Sequence, residues 1–233
     1  MPAKTRIAID VGGTFTDVVR LEPDSGTIHF DKVPTTPSAP TEGVLNAFTK
    51  AGVRLDEVAT FNHGTTLGLN ALLTRTGAKL AIVTTKGFRD VYLLGRTDRK
   101  ESYNFWYRKP KALVERYDTF EVQERAYFDG TIGIDLNEEE ARQIAKTIAE
   151  RGYDSVAVAF LHSYANPLNE QRMRKVFAEV APAVAVTLSS DLSREYREYE
   201  RTSTAVLDAY IKPIIRSYLA ELETRLAKGG FTG

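Results

Sequence analysis

IAIDVGGTFTDVVRL, residues Ile7–Leu21, reads as two apolar strands joined at a glycine pair, and the fold turns on this stretch. Ile7, Ile9 and Val11 alternate with Ala8 and Asp10, the period-two pattern of a half-buried strand. Gly12 and Gly13 break the run, and FTDVVRLEP resumes it. DSG then makes a second turn and TIHFDKVPT a third strand, so the chain opens as a strand, turn, strand, turn, strand meander. At the first turn the glycines let backbone amides face inward where a Cβ atom would block an approaching anion. Thr14 and Thr16 add hydroxyl donors, and Asp10 at the strand end can hold a hydrated magnesium ion through one carboxylate oxygen. Two readings of these residues stand side by side: a cradle for the terminal phosphates of a nucleotide, or an ordinary glycine turn. The stretch is neither a P-loop nor the dinucleotide fingerprint GxGxxG.

Beyond the Pro-rich break PTTPSAP, TEGVLNAFTKAG has helical spacing, with Thr41 as its cap and a glycine at its end. EVATFNHGTT is a short strand running into polar loop, LGLNALLTRTGA a helix closed by Gly77, KLAIVTT a strand and GFRDVYLLG a helix. Leu113 to Ile134 reads as strand and hairpin. NEEEARQIAKTIAERG is a helix with Asn137 as cap, acids in its first turn and Gly152 beyond its end. SVAVAFL is a buried strand, NPLNEQRMRKVFAEVA a helix capped by Asn166 with Pro167 at its first position, and AVAVTLSS another strand. Strand and helix in alternation call for a mostly parallel sheet. The last segment is a long helix with apolar residues every fourth position from Val206 to Leu226, which Pro213 should kink or split.

Of the 233 residues, 42% are hydrophobic, enough for a substantial core. Thirty-one basic residues balance 31 acidic ones, so no global field favours nucleic acid or an anionic membrane, and any anion site must be local. The absence of cysteine excludes disulfides, thiolate metal sites and cysteine nucleophiles, and no apolar run is long enough to span a bilayer. A cytoplasmic location, with no nucleic-acid or membrane partner, is expected.

Two more clusters carry chemistry. In NHGTTLGLN, His63, Gly64, Thr65 and Thr66 lie where a strand gives way to a helix N-terminus, so amides and hydroxyls converge, and Asn70 on that helix can reach a ligand amide. Arg89, Asp90, Arg96 and Arg99 crowd the next loop region, offering forked donors for a carboxylate or phosphoryl group, or forming surface ion pairs. The aromatics of YNFWYRKPK are expected to pack that loop onto the sheet. The three histidines are far apart, and Ser163 lacks the context of a hydrolase nucleophile.

Taken in order, IAIDVGGTFTD, NHGTTLGLNALLTRTGAKLAIVTTKGFRDV, GRTDRKESYNFWYRKP, VQER, VAVAFLHSYANPLNE and REYERTSTAVLDAYIKP resemble the N-terminal region of the hydantoinase/oxoprolinase family, specifically the hydantoinase A, or ATP-binding, subunit. The resemblance implies an α/β, actin-like ATPase (ribonuclease H-like) lobe: a mixed sheet with an N-terminal β-meander and flanking helices. It implies a domain over 1–190, with 191–233 a helical segment that begins the next lobe of a longer polypeptide. The cofactors it implies are ATP and Mg2+; the substrate, a cyclic amide such as 5-oxoproline or a hydantoin; the partner, a hydantoinase B-type subunit. The amide oxygen would be phosphorylated before the ring opens. An ATP-dependent ketone carboxylase subunit and a non-catalytic module that keeps the fold are the alternatives. Carried onto this sequence, Gly12, Gly13, Thr14 and Thr16 would contact phosphate, Asp10 would anchor magnesium and Asp17 would support the turn. Asp10, His63 and Thr65 would be catalytic, Gly64 and Thr66 would join the cofactor-binding set, and Asn70, Arg89 and Arg96 would face substrate. Family ATP-binding subunits are much longer and carry a second phosphate motif, so this chain alone is expected to hold one side of the nucleotide cleft.

Overall fold

The computed structural model describes residues 4–96 and 101–233, and Arg99 lies outside them. Two compact units emerge: Met1–Gly77 with Ile214–Gly233, and Ala78–Pro213. The structure is α/β, and the first unit contains the mixed sheet.

In the first unit, β1 (Thr5–Val11), β2 (Phe15–Glu22) and β3 (Thr27–Pro34) form the meander. After α1 (Pro40–Lys50), β4 (Val58–Thr65) returns parallel to β1 and gives the order β3-β2-β1-β4. α2 (Leu67–Thr74) follows directly. Ile7, Ile9, Val11 and Val18 point to one face of the sheet and pack against Val44, Ala47 and Phe48 of α1. The cap expected at Thr41 is absent: the helix opens on Pro40, and Thr41 is buried. α2 closes on Arg75 in the left-handed region, φ 56°, two residues before Gly77.

The second unit contains a four-stranded, all-parallel sheet, β10-β9-β5-β6, from β5 (Leu80–Thr85), β6 (Thr119–Val122), β9 (Ser155–Ala159) and β10 (Ala185–Leu188). A hairpin of β7 (Arg125–Ala126) and β8 (Ile132–Ile134) stands apart from it. β5 and β9 are buried at every position, as strands covered on both faces must be. α3 (Val91–Leu94) is all that forms of the helix expected over GFRDVYLLG. α4 (Glu138–Glu150) begins where Asn137 Oδ1 accepts the Glu140 amide at 3.1 Å, and it buries Ala141, Ile144, Ala145 and Ile148, one stripe at helical spacing. Covering each isoleucine contributes about 2 kcal/mol. α5 (Leu168–Val180) starts one residue later than expected, with Pro167 in the cap position and Asn166 Oδ1 accepting the Leu168 amide. α6 (Ser189–Leu192) and α7 (Glu198–Lys228) complete the chain.

α7 continues through Pro213 as one helix. A proline removes the N–H that would satisfy the carbonyl four residues back. That carbonyl, on Ala209, accepts the Ser155 hydroxyl at 2.6 Å, and the Tyr210 carbonyl accepts the Ala78 amide at 3.0 Å. Substitute donors from elsewhere in the unit satisfy the opened turn.

At the carboxyl ends of the parallel strands lies a buried polar network. Glu170 is fully buried and accepts from the Phe160 amide, the Ser189 hydroxyl, and the amide and hydroxyl of Ser190. Arg201, 1% exposed, donates to Ser189 Oγ and to the carbonyls of Glu195 and Phe160. Burial pulls its guanidinium below the ordinary arginine value, and the negative charge of Glu170 is the largest opposing influence.

Candidate functional site

The tip of the first hairpin is tied from inside the sheet. Gly12 donates its amide to the Phe15 carbonyl at 3.0 Å, the Thr35 amide bonds the Thr14 carbonyl, and the Thr35 hydroxyl bonds the Gly12 carbonyl. Thr16, fully buried, has its hydroxyl 3.0 Å from that of Thr35. Thr35 therefore braces the turn, the part expected of Asp17, and Thr16 points inward, away from any phosphate at the tip. Thr35 was hidden in a segment read as a Pro-rich break, and its spacing carried no signal.

Gly12 and Gly13 have ordinary negative φ, so space explains them. A Cβ on Gly12 would stand 2.8 Å from the Phe15 carbonyl oxygen, and one on Gly13 would stand 3.2 Å from Asn70 Nδ2. The tip thus rests against α2, where Asn70 Nδ2 donates to Thr66 Oγ1 and the Thr66 amide donates to the Val11 carbonyl. Gly12, Gly13, Thr14, Thr65 and Asn70 line a cleft of about 510 Å³. Among the described residues the amides of Gly13 and Thr14 and the Thr14 hydroxyl make no hydrogen bond, so an exposed tip offers three unused donors.

Asp10 lies on the other face of the sheet. β4 runs on through Thr65, and in its register with β1 Asp10 faces Gly64 while Ile9 faces His63. A Cβ on Gly64 would stand 2.7 Å from Asp10 Oδ1, so that glycine is what lets the carboxylate lie on β4. On the opposite side Asp10 faces Asp17 directly, and Asp17 is paired with Lys32 at 3.0 Å. Like charges opposite one another are unfavourable. Two carboxylates with one counter-cation between them leave room for another positive charge beside Asp10. Asp10, Asp17, Asn62 and Gly64 line a shallow cleft of about 280 Å³.

The pleat that turns Gly64 toward Asp10 turns His63 to the side of the core, where it is half-buried. Its Nδ1 is 3.1 Å from the Ile9 carbonyl and its Nε2 2.7 Å from the Tyr218 hydroxyl, with Phe61 stacked beside it. Burial lowers the imidazole's pKa, outweighing the Ile9 bond and the charge of Asp10. Tyr218 escaped notice because in sequence it is one apolar position of the helical stripe.

Arg89 and Arg96 belong to the second unit. Arg89 Nε donates to the Arg116 carbonyl, Arg116 forks onto Asp90, and Arg96 pairs with Glu200. These guanidinium groups are held by protein groups within that unit. Tyr103, Phe105 and Trp106 are at least 87% exposed, so these three do not pack a loop onto the sheet as expected, and only Tyr107 is partly covered.

Among the described residues no group of three metal-ligating side chains converges, and no helix is long and apolar enough to cross a membrane. Residues 6–181 match the family described as the hydantoinase/oxoprolinase N-terminal region. An uncharacterized protein of Methanocaldococcus jannaschii is 42% identical over 98% of this chain and 34% of its own length. The acetophenone carboxylase gamma subunit of Aromatoleum aromaticum is 36% identical over 97% of this chain and 34% of its own. The solved ATP-dependent caprolactamase of Pseudomonas jessenii superposes with a TM-score of 0.86 at 30% identity, covering 97% of this chain and 34% of that one. This chain spans about a third of the length of these relatives. Its fold is that of an actin-like ATPase lobe, in which a meander followed by a parallel β4 places the hairpin tip and Asp10 at one end of the sheet. By sequence match and structural likeness alike, the chain belongs to the hydantoinase/oxoprolinase family.

Proposed function

We propose that this chain is the N-terminal part of an ATP-dependent enzyme that opens cyclic amides, and that it supplies the first-lobe side of the nucleotide site. The carrying observation is the Asp10 carboxylate seated on Gly64 at the end of β1, two residues before a hairpin tip with three unused donors. The residues fit the group. The Gly13 and Thr14 donors suit phosphate oxygens, and one exposed carboxylate suits a magnesium ion that keeps most of its waters and takes other ligands from phosphate. Bound ATP would supply the phosphoryl group that activates the amide carbon for attack by water; the C–N bond would then break with the ring nitrogen taking up a proton, and a second water would release phosphate from the acyl oxygen. Gly13 and Thr14 orient and neutralise the anion, Asp10 holds the cation, and Asn70 with Thr66 fixes the tip against α2. Most of the catalytic contribution of such a site is positioning and electrostatic stabilisation.

A ketone carboxylase is the second reading, favoured by the 36% identity to the acetophenone carboxylase gamma subunit. The two separate in the complete enzyme with its partner subunit, a hydantoinase B-type chain in our proposal. Phosphate release is measured with 5-oxoproline, a hydantoin or a lactam, and with a ketone plus bicarbonate. Stimulation by the amides alone supports the hydrolase; stimulation by the ketone alone overturns it in favour of the carboxylase.

A further inference from the structure

His63 and Tyr218 form a hydrogen-bonded chain that the proposed chemistry leaves unused. The Ile9 carbonyl can only accept, so His63 Nδ1, 3.1 Å away, carries the ring proton. Nε2 is then bare and accepts the Tyr218 O–H at 2.7 Å. Burial pushes the Tyr218 hydroxyl up to about 12, so it keeps the proton it donates. Tyr218 is 5% exposed on the second half of α7, among Leu222, Leu226 and the core residues of β1. Tyr218 is buried and His63 half-buried, and stability alone does not account for the pair, because exchanging two such hydrogen-bonding partners for apolar groups of the same shape can be close to neutral. What the chain reaches is specific: Ile9 immediately precedes Asp10, and His63 immediately precedes the Gly64 on which Asp10 rests.

We propose that Tyr218 is a positioning residue for Asp10: by holding His63 as the Nδ1–H tautomer it fixes the Ile9 carbonyl, and with it the direction in which the Asp10 carboxylate leaves β1. This rests on the role given to Asp10 above. His63 is then a half-buried relay that touches neither nucleotide nor amide. Outer partners that orient a ligand side chain typically contribute about ten- to a hundredfold.

The test has a spectroscopic arm and a kinetic arm. Two-bond 1H–15N spectra of this chain should show His63 protonated at Nδ1 and bare at Nε2, and Tyr218→Phe should shift it toward the other tautomer; an Nε2–H ring in the unaltered chain overturns the proposal. In the complete enzyme, Tyr218→Phe and His63→Leu should lower kcat for substrate-dependent phosphate release about tenfold, with KM for ATP within about twofold. His63→Asn, whose side-chain amide can replace the Nδ1 donor, should recover most of that loss. Asp10→Ala is assayed alongside. If it turns over normally, the function proposed for Asp10 fails; if it is inactive while Tyr218→Phe and His63→Leu keep the unaltered kcat, the positioning role fails alone.

Discussion

Glu170→Gln is expected to destabilise the second unit by about 3–5 kcal/mol, the cost of breaking a buried charged network by removing one member. The carboxylate accepts four hydrogen bonds from Phe160, Ser189 and Ser190, and a glutamine must turn an NH2 toward groups that are themselves donors. The substitution also removes the negative charge that most favours the Arg201 guanidinium, which is 1% exposed and reaches Glu170 through the shared Ser189 hydroxyl. The network ties the ends of β9 and β10 to the first turns of α5 and α7, so its loss is felt throughout the parallel sheet. Urea denaturation of this chain followed by circular dichroism measures the effect. An unfolding free energy unchanged to within about 0.5 kcal/mol, the range of an ordinary surface substitution, would show that the network is not what holds these elements.

The second large effect is functional, with stability nearly unchanged. Gly64→Ala places a Cβ 2.7 Å from Asp10 Oδ1. The atom it meets is the end of a rotatable, exposed side chain, so Asp10 turns aside and the fold loses no more than about 1 kcal/mol. The carboxylate is then misplaced by about an ångström, which for a positioned catalytic group costs on the order of a hundredfold. In the complete enzyme Gly64→Ala should therefore cut substrate-dependent phosphate release about a hundredfold while the thermal midpoint hardly moves. Full activity in that variant would mean that Asp10 does not need its seat on β4.

The elements carried by local pattern were legible in the sequence: the meander, the Asn137 cap and stripe of α4, and the apolar run of β9. What escaped depends on partners distant in sequence. Pro213 forecast a break because nothing near it showed that Ser155 and Ala78 would supply the donors its turn lacks. HGTT read as loop, but pairing with β1 holds it in strand through Thr65, and one alternation then decides that His63 faces the core and Gly64 faces Asp10. Thr16 and Thr35 looked alike as hydroxyls; only β2–β3 pairing, which sets Thr16 beside Val33, sends Thr16 inward. The glycine pair was legible as a special turn, although its cause is the closeness of Phe15 and Asn70 and not a left-handed backbone.

The central claim is that the Asp10 carboxylate anchors the cation of the nucleotide site, and Asp10→Asn tests it most directly, since it removes the charge and keeps the shape. With the complete enzyme and a cyclic amide, the substrate proposed for it, phosphate release is expected to fall about a hundredfold or more, with folding unchanged. Phosphate release at the unaltered rate would contradict that claim.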